Sequence, residues 1–308
     1  MAATIYGAQK DVYLTGTQQL YALGQKLETP DGSIFRFAEL NSTLGVANNL
    51  YQASAPVANW EGTDLSTAMA IGDTTITFKD GGTAFVVDEA AGGSIHVEET
   101  GDLGYVYPIK SNLVTASNET VMTLEDGISV IKAVTANALT FIKNPWKEIL
   151  IHASPATSYA VGVPRVIIAA DGFGWMQTRG VASCLANGTQ GIQQDLCPSN
   201  AVSGALANKR TVGTDTLLTT SLAVTHNSGH TPIGSDITIH YLEDPTTDPE
   251  TRWLGTFTTT QFTVNIKTDT GANDMDFGWT LEVVGPIVAV NLAVGATAEF
   301  NAVFLKVE

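Results

Sequence analysis

The sequence predicts a mainly β protein with a β-barrel or β-sandwich body, an extended N-terminal arm and an inserted small β-sandwich. Glycine is frequent, with 29 among 308 residues, and only 15% of the residues are charged. Alternating apolar runs recur about every ten residues, and turn residues bound each run, a pattern typical of barrels and sandwiches. The long Glu-, Lys- and Leu-rich stretches that favour helices are missing.

Residues 1–58 are predicted to form an N-terminal arm followed by a β-hairpin. Residues 1–17 are polar and weakly patterned, which is typical of a terminal segment that becomes ordered on a partner. Further along the chain, the turn sequence PDG at 30–32 is followed by alternating residues through Phe37. Such a turn between two strand-like runs predicts the hairpin.

The β body is predicted to consist of residues 59–221 together with 283–308. Its most informative stretch is 166–180, where an apolar run, a turn, and alternating bulky and small residues follow one another. That order predicts two strands joined by a tight turn. The alternating segment 298–307 is predicted to be the last strand and to pair with this stretch near Trp175.

Residues 222–282 are predicted to form a small β-sandwich inserted into the body. The segment has five strand-like runs and a loop rich in Pro, Asp and Thr at 243–250. A small sandwich whose two ends lie close together is a geometry that tolerates insertion into another domain.

Charge and cysteine content limit the partners and the compartment. The net charge is −16, and because an acidic surface repels nucleic acid, no nucleic-acid partner is expected. The sequence begins without the basic and apolar regions of a signal peptide and has no long apolar run, so no membrane partner is expected. Cys184 and Cys197 are separated by twelve residues, so a disulfide between them is geometrically possible, but free thiols are expected because a cytoplasm keeps cysteines reduced.

The chain is predicted not to be an enzyme and to need no cofactor. Nucleophile-elbow, zinc-protease, P-loop and dinucleotide-binding motifs do not occur. His226 and His230 are four positions apart, but Gly229 between them indicates a loop rather than a metal-binding helix face. The acidic residues within 243–250 and 269–276 are interpreted as solvated loops rather than Ca²⁺ ligands. No metal is therefore expected.

Several motifs follow one another in an informative order. They are LETPDGSIFRFA at 27–38, GGSIHVEETGDLGYVYPIKSN at 92–112, TLEDGI at 123–128, NPWK at 144–147, FGWMQTRGVASCL at Phe173–Leu185 and AVFLKV at 302–307. Together they resemble the capsid decoration (cement) proteins of tailed bacteriophages. The resemblance implies a virion protein, made in the host cytoplasm, that stabilises the capsid exterior by bridging neighbouring major-capsid subunits. It also implies a homotrimer, because decoration proteins follow the local symmetry axes of the shell.

The inserted segment has a different resemblance. It contains VTH at 224–226, FTV at 262–264 and FGW at 277–279. These motifs are similar to those of small β-modules on phage fibres and of H-type lectin-like domains. This likeness implies an alternative function, a head- or tail-fibre protein whose 222–282 module binds a host surface glycan.

The candidate contact residues form three groups. The predicted capsid contacts are Tyr6, Tyr13, Tyr21, Phe35 and Arg36. The predicted inter-subunit contacts are Trp146, Trp175 and Arg179, of which the tryptophans are alternatively core residues and the arginine an ordinary strand-end charge. The predicted ligand contacts are Trp253 and Arg252, although Trp253 also suits the small core of the inserted module.

Overall fold

The predicted mainly β class is confirmed by the structure, a computed structural model that describes residues 3–98, 104–128, 139–242, 252–266 and 275–308. Strands account for most of the regular structure, and the helices of the described residues are three short 3-10 segments. None of these is long and apolar enough to cross a membrane.

The chain divides into two compact units. One unit contains Met1–Gln52 and Ile149–Glu308, and the other contains Ala53–Glu148. This division differs from the predicted one, which placed residues 59–221 in a single body. The repeated short strands of 59–148 look the same in sequence as those after residue 149, but they close around a core of their own.

The strands are numbered in chain order. The first are β1 (Ile5–Tyr6), β2 (Lys26–Glu28), β3 (Ile34–Glu39) and β4 (Tyr51–Gln52), with a 3-10 helix at Gln9–Tyr13. The second unit has a 3-10 helix at Ala58–Trp60 and β5 (Thr75–Lys79), β6 (Ser94–Val97), β7 (Val106–Asn112), β8 (Glu119–Leu124) and β9 (Leu139–Ile142). Then follow β10 (Leu150–Ile151), β11 (Ala160–Pro164), β12 (Phe173–Leu185), β13 (Asp195–Pro198) and β14 (Leu206–Asn208).

The last strands include those of the inserted module. They are β15 (Arg210–Leu217), β16 (Ser221–Thr225), β17 (Ile237–Tyr241), β18 (Arg252–Gly255), β19 (Gln261–Ile266), β20 (Met275–Glu282), β21 (Ala289–Asn291) and β22 (Phe300–Lys306), with a 3-10 helix at Gly234–Asp236.

The largest sheet is organised around β12. Its strand order is β1-β2-β3-β12-β22-β21-β13-β14, with β4, β10 and β11 attached to one side. The first half of β12 pairs with β3 and the second half pairs with β22. The last strand therefore pairs with the strand that contains Trp175, at Arg179–Leu185 rather than at Trp175 itself.

The predicted extended N-terminal arm is packed on this sheet. Ile5 and Tyr6 pair in parallel with β2, and Gly16 pairs with Phe173. Val12 is wholly buried, in a cluster that also contains Leu27. Val12 of this polar segment thus points inward, and the edge of β2 accepts and donates part of the segment's backbone hydrogen bonds.

The predicted β-hairpin is present as β2 and β3. The Oδ1 atom of Asp31 accepts hydrogen bonds from the Thr29 hydroxyl at 2.6 Å and from the Ser33 backbone N–H at 3.2 Å. Gly32 has φ +78°, a left-handed conformation that glycine adopts without strain. The hydrogen bond from Thr29 outweighs the opposing effect of burial and lowers the pKa of Asp31 to about 2.

The second unit is built on one antiparallel sheet with the strand order β5-β8-β7-β6-β9. Its core contains stacked aromatic pairs, with ring centroids 3.9 Å apart for Trp60 and Phe85 and 4.1 Å apart for Phe78 and Phe141. The largely buried Lys143 forms ion pairs with two glutamates, Glu89 at 2.7 Å and Glu148 at 2.9 Å. A buried charge requires such partners.

The inserted module is a sandwich of two three-stranded sheets, β15-β20-β17 and β16-β19-β18. The predicted range 222–282 leaves out β15, which pairs along its whole length with β20, and the first residue of β16. The two ends of the module meet where the Val283 N–H donates to the Lys209 carbonyl at 3.0 Å. Its core includes Phe262, Phe277 and Trp279.

Candidate binding surfaces

The predicted N-terminal contacts fall into an exposed and a buried set. The exposed fraction is 80% for Tyr6, 51% for Tyr13 and 37% for Tyr21. Phe35 is wholly buried among the side chains beneath the N-terminal segment, so its predicted role as a capsid contact is not supported. Alternation within β3 directs Phe35 to the core, because neighbouring side chains of a strand point to opposite faces.

Arg36 lies on the outer face of β3 but is engaged within the chain. Its Nε donates to the Glu308 carboxylate at 3.1 Å, its Nη2 contacts the other oxygen, and its Nη1 donates to the Gly24 carbonyl at 2.9 Å. Burial works to raise the pKa of Glu308, but hydrogen bonds from Arg36 and Thr178 hold it below the usual value. Sequence reasoning missed this pair because its members are 272 positions apart.

The predicted inter-subunit residues differ in accessibility. Trp175 is 1% exposed, and its ring lies 5.1 Å from that of Phe37 and 5.2 Å from that of Tyr21. It is therefore a core residue, as the alternative interpretation of the sequence held. Trp146 is half-buried, and Arg179 is exposed on β12.

Trp253 is exposed on an edge strand of the inserted module. Half of its surface is accessible, and it lies on the outer face of β18, where it pairs in register with Asn265. It is not part of the module core, which is the alternative considered from the sequence. The side chain of Arg252 lies outside the described residues, as do residues 243–250 and 269–274.

A buried polar seam joins the inserted module to the rest of its unit. The loop after β16 carries His226, Ser228 and His230, each at most 3% exposed. The His226 Nδ1 lies 2.9 Å from the Ser228 hydroxyl, and the His226 Nε2 lies 3.2 Å from the Thr258 carbonyl. The two histidines therefore lie in a loop, as the glycine between them indicates, and do not form a metal-binding face of a helix.

The other side of the seam belongs to β13 and the loops around it. Asn187 and Ser199 both donate to the Gly229 carbonyl, at 2.7 and 2.9 Å. Gly229 has φ +78°, and a Cβ atom there would lie 2.0 Å from the Asn187 carbonyl oxygen. Only glycine fits this close approach. The residue types of the seam are ordinary in sequence, so no local signal marks it.

Cys197 lies against His230 in this seam, with 3.4 Å between Sγ and Nε2. Burial raises the pKa of Cys197 to about 11 and lowers the pKa of His230 to about 4. At neutral pH the contact thus joins a thiol and a neutral imidazole, both inaccessible to solvent. A nucleophilic cysteine requires a lowered pKa and access, so this pair is structural. Cys184 is also buried, and both cysteines are free.

The part of the chain that the structure describes has no metal-ligating cluster, and it has an open depression on the inserted module. Within those residues, no three His, Cys, Asp or Glu side chains come together in a group that could hold a metal. An open depression beside β17 and β20 is lined by Lys209, Asp236 and Glu282 among others. The ammonium group of Lys209 already donates to the carbonyls of Val283 at 3.3 Å and Gly285 at 2.8 Å.

A scan against protein-family models, a search of curated proteins and a search of solved structures each found no match for this chain.

Proposed function

We propose that the chain is a non-enzymatic structural protein of a tailed-phage virion, which decorates the capsid exterior and bridges neighbouring major-capsid subunits. The observation that carries this proposal is the form of the N-terminal segment, defined as residues 3–21. It exposes large apolar side chains while it is held to the body from beneath. The order of decoration-protein motifs along the sequence supports the same conclusion.

Some residues of the N-terminal segment anchor it to the sheet, and others expose apolar side chains to solvent. Val12 is buried, and Gly16 pairs with Phe173 through backbone hydrogen bonds in both directions, at 3.1 and 2.8 Å. Outside these anchors, Leu14 is 53% and Leu20 is 68% exposed, in addition to the exposed tyrosines. A segment already ordered loses little conformational entropy when it binds, and exposed aromatic residues are common interface anchors.

The proposed partner is the major capsid protein, contacted by a homotrimer of this chain. Three N-terminal segments on one trimer would act together, so that modest contacts give tight binding through multivalency. With a net charge of −16, the chain is complementary to a partner whose contact surface carries a basic rim.

The test is co-sedimentation with expanded tailed-phage capsids that lack their exterior decoration protein. The variant Tyr6→Ser/Tyr13→Ser/Leu14→Ser removes exposed apolar groups and keeps Val12 in place. Deleting residues 1–17 is less informative, because it would uncover the cluster that Val12 helps to close. A matched control is Leu113→Ser/Val114→Ser, since both residues are 59% exposed in the other unit.

We expect the wild-type protein and the control to saturate the shells at a fixed ratio to the capsid subunit. We expect the triple variant to bind at least ten-fold more weakly while remaining folded. Absence of saturable binding by the wild type would overturn the proposal. If the triple variant binds as tightly as the wild type, the N-terminal segment is not the capsid-binding surface.

A second candidate function is favoured by the accessible Trp253. In that function the chain is a head- or tail-fibre protein whose inserted module contacts a host glycan. A large exposed aromatic ring on the outer face of a sheet suits stacking against a sugar ring.

A further inference from the structure

The outer face of the β16-β19-β18 sheet has an unusual composition for this chain. Buried and exposed residues alternate along its strands, with Val224, Phe262 and Val264 buried between exposed or half-buried neighbours. The residues between them therefore form the outer face. These outward residues are Ser221, Ala223, Thr225, Trp253, Gly255, Gln261, Thr263 and Asn265. None of them is ionisable.

The register places the polar groups beside the ring. Trp253 pairs with Asn265, and Asn265 pairs with Ser221 on the far strand. The Ser221 hydroxyl donates to Asn265 Oδ1 at 2.8 Å. Among the described residues, the Asn265 amide nitrogen donates to the Trp253 carbonyl at 3.4 Å and to the Thr263 hydroxyl at 3.3 Å. Both distances are long for N–H···O bonds, so a ligand oxygen with better geometry would compete for these N–H groups.

A glycine, Gly255, lies close to the polar side chains of this face. Gly255 is two positions after Trp253 on the same face, and a Cβ atom there would lie 3.3 Å from the Thr263 hydroxyl and 3.4 Å from the Asn265 amide nitrogen. A side chain at this position would therefore press against both polar groups, which are half-buried. The Thr263 hydroxyl donates to the Gly255 carbonyl at 2.6 Å and keeps its capacity to accept a hydrogen bond.

We propose that this face binds a neutral saccharide, with Trp253 stacked on a pyranose ring and the Asn265, Thr263 and Ser221 side chains hydrogen-bonded to its hydroxyl groups. The apolar C–H face of a pyranose matches an aromatic ring, and its hydroxyls match groups that both donate and accept. This inference deepens the second candidate function and does not depend on capsid binding.

The chemistry of the face favours this occupant over two others. Charged ligands find no ionisable partner among the described outward residues, in contrast to the opposite sheet, where the exposed Arg210 and Glu282 pair on the outer face. A second copy of the chain would bury little apolar surface on this face, because Trp253 is the only large apolar side chain among the described outward residues. Stable protein interfaces bury a larger and more apolar centre.

The first experiment uses the full-length protein on an array of immobilised neutral oligosaccharides containing glucose, galactose, mannose or N-acetylglucosamine, with heparin and sialylated glycans as charged probes. The best neutral probe is then titrated while tryptophan fluorescence is recorded. Of the five tryptophans, Trp60, Trp175 and Trp279 are at most 4% exposed and Trp146 is half-buried, so a change in signal reports chiefly on Trp253.

Four variants and a control complete the test. Trp253→Ala and Asn265→Ala should each weaken binding at least ten-fold. Gly255→Val should also weaken binding by covering the Thr263 and Asn265 polar groups, although it removes neither of them. Trp253→Phe keeps a ring and should retain part of the affinity. Val212→Ala is the control, because Val212 is 61% exposed on the opposite sheet. Melting temperatures establish that each variant is folded.

Several outcomes overturn the proposal. These are a wild-type protein that binds no neutral probe, binding that Trp253→Ala leaves unchanged, and an oligomer that Trp253→Ala dissociates. The capsid co-sedimentation of Trp253→Ala is expected to equal that of the wild type. Failure of the saccharide proposal and failure of capsid binding are thus seen in different assays.

Discussion

The N-terminal segment and the outer face of the inserted module are both exposed, but they differ in chemistry. The N-terminal segment displays Tyr6, Tyr13, Leu14 and Leu20, all more than half exposed. The module face displays a single large apolar side chain, Trp253, among hydroxyl and amide groups. The first surface gains most from a partner that removes apolar area from water, and the second from a partner rich in hydroxyl groups.

The two surfaces also rest on different supports. A wholly buried phenylalanine lies beneath each of them, Phe35 under the N-terminal segment and Phe262 under the module face. One surface is thus formed by a terminal segment docked on a large sheet, and the other by a strand pair in a small sandwich. Because the supports differ, we expect substitutions in one surface to leave the other intact.

The largest expected effect comes from removing these supports. Phe35→Ala and Phe262→Ala should each lower the free energy of unfolding by about 3–5 kcal/mol, because each leaves a cavity in a packed core. In hydrogen exchange, Phe35→Ala should release protection in residues 5–16, and Phe262→Ala in Ser221–Thr225 and Gln261–Ile266. Loss of protection in both regions from either substitution would show that the two surfaces are coupled.

The next largest effect is a pH dependence of the free energy of unfolding, which arises from the buried histidines at the seam of the module. Burial lowers the pKa of His230 to about 4, so between about pH 6.5 and pH 4 the unfolded chain binds this proton more readily than the folded chain. The free energy of unfolding should therefore fall as pH falls through this window, by about 3 kcal/mol for this group. His226, with its pKa also lowered by burial, acts in the same direction, and the charge of Asp236 partly opposes the shift at His230.

Urea unfolding at pH 7 and at pH 4.5, with hydrogen exchange of residues 226–230, measures this effect. The β2–β3 hairpin should lose stability only at a lower pH than the seam does. The lowered pKa of Asp31 gives stability that is present above pH 3.8 and is lost as pH falls towards 2. His230→Gln should flatten the dependence above pH 4. An unchanged slope in that variant would contradict the assignment to His230.

A smaller effect is expected for the Arg36–Glu308 pair. The side chains are 27% and 34% exposed, and solvent screens such pairs, so Arg36→Ala should cost about 1 kcal/mol or less. Glu308→Gln should have a similar cost, and the double variant should cost less than the sum. If Arg36→Ala abolishes capsid binding and Glu308→Gln preserves it, the arginine contacts the capsid directly.

The smallest effects on stability are expected at the two exposed rings. Tyr6→Ala and Trp253→Ala should each change the free energy of unfolding by about 0.5 kcal/mol or less, since neither supports a core. Their effects on binding should be large and separate, with Tyr6→Ala weakening capsid binding and Trp253→Ala weakening saccharide binding. A destabilisation of several kcal/mol in either variant would mark the ring as structural.

Local patterns in the sequence were sufficient for much of the fold. Alternation and turn residues predicted the β2–β3 hairpin, the strand that contains Trp175, and the last strand. They also predicted a small sandwich near 222–282. These features depend on neighbours a few positions apart, where side-chain direction and turn geometry are set by the local backbone.

The candidate surfaces were predicted only in part. Tyr6 and Trp253 were identified and are exposed, whereas Phe35 was assigned to the surface and is buried. The partners of Trp253 on the module face were not identified, because Asn265 and Ser221 reach it through strand pairing across separate parts of the chain. No spacing rule in a single sequence gives that register.

Local sequence patterns alone indicate a β protein with frequent turns, a net negative charge and a small inserted module. Long-range contacts are what fold the N-terminal segment back on its own sheet, add β15 to the module and pair Arg36 with Glu308. They also bring Cys197 and His230 together in a neutral buried contact. The physical reason is that alternation specifies which side of a strand is apolar, whereas long-range packing selects the strand or side chain that covers it.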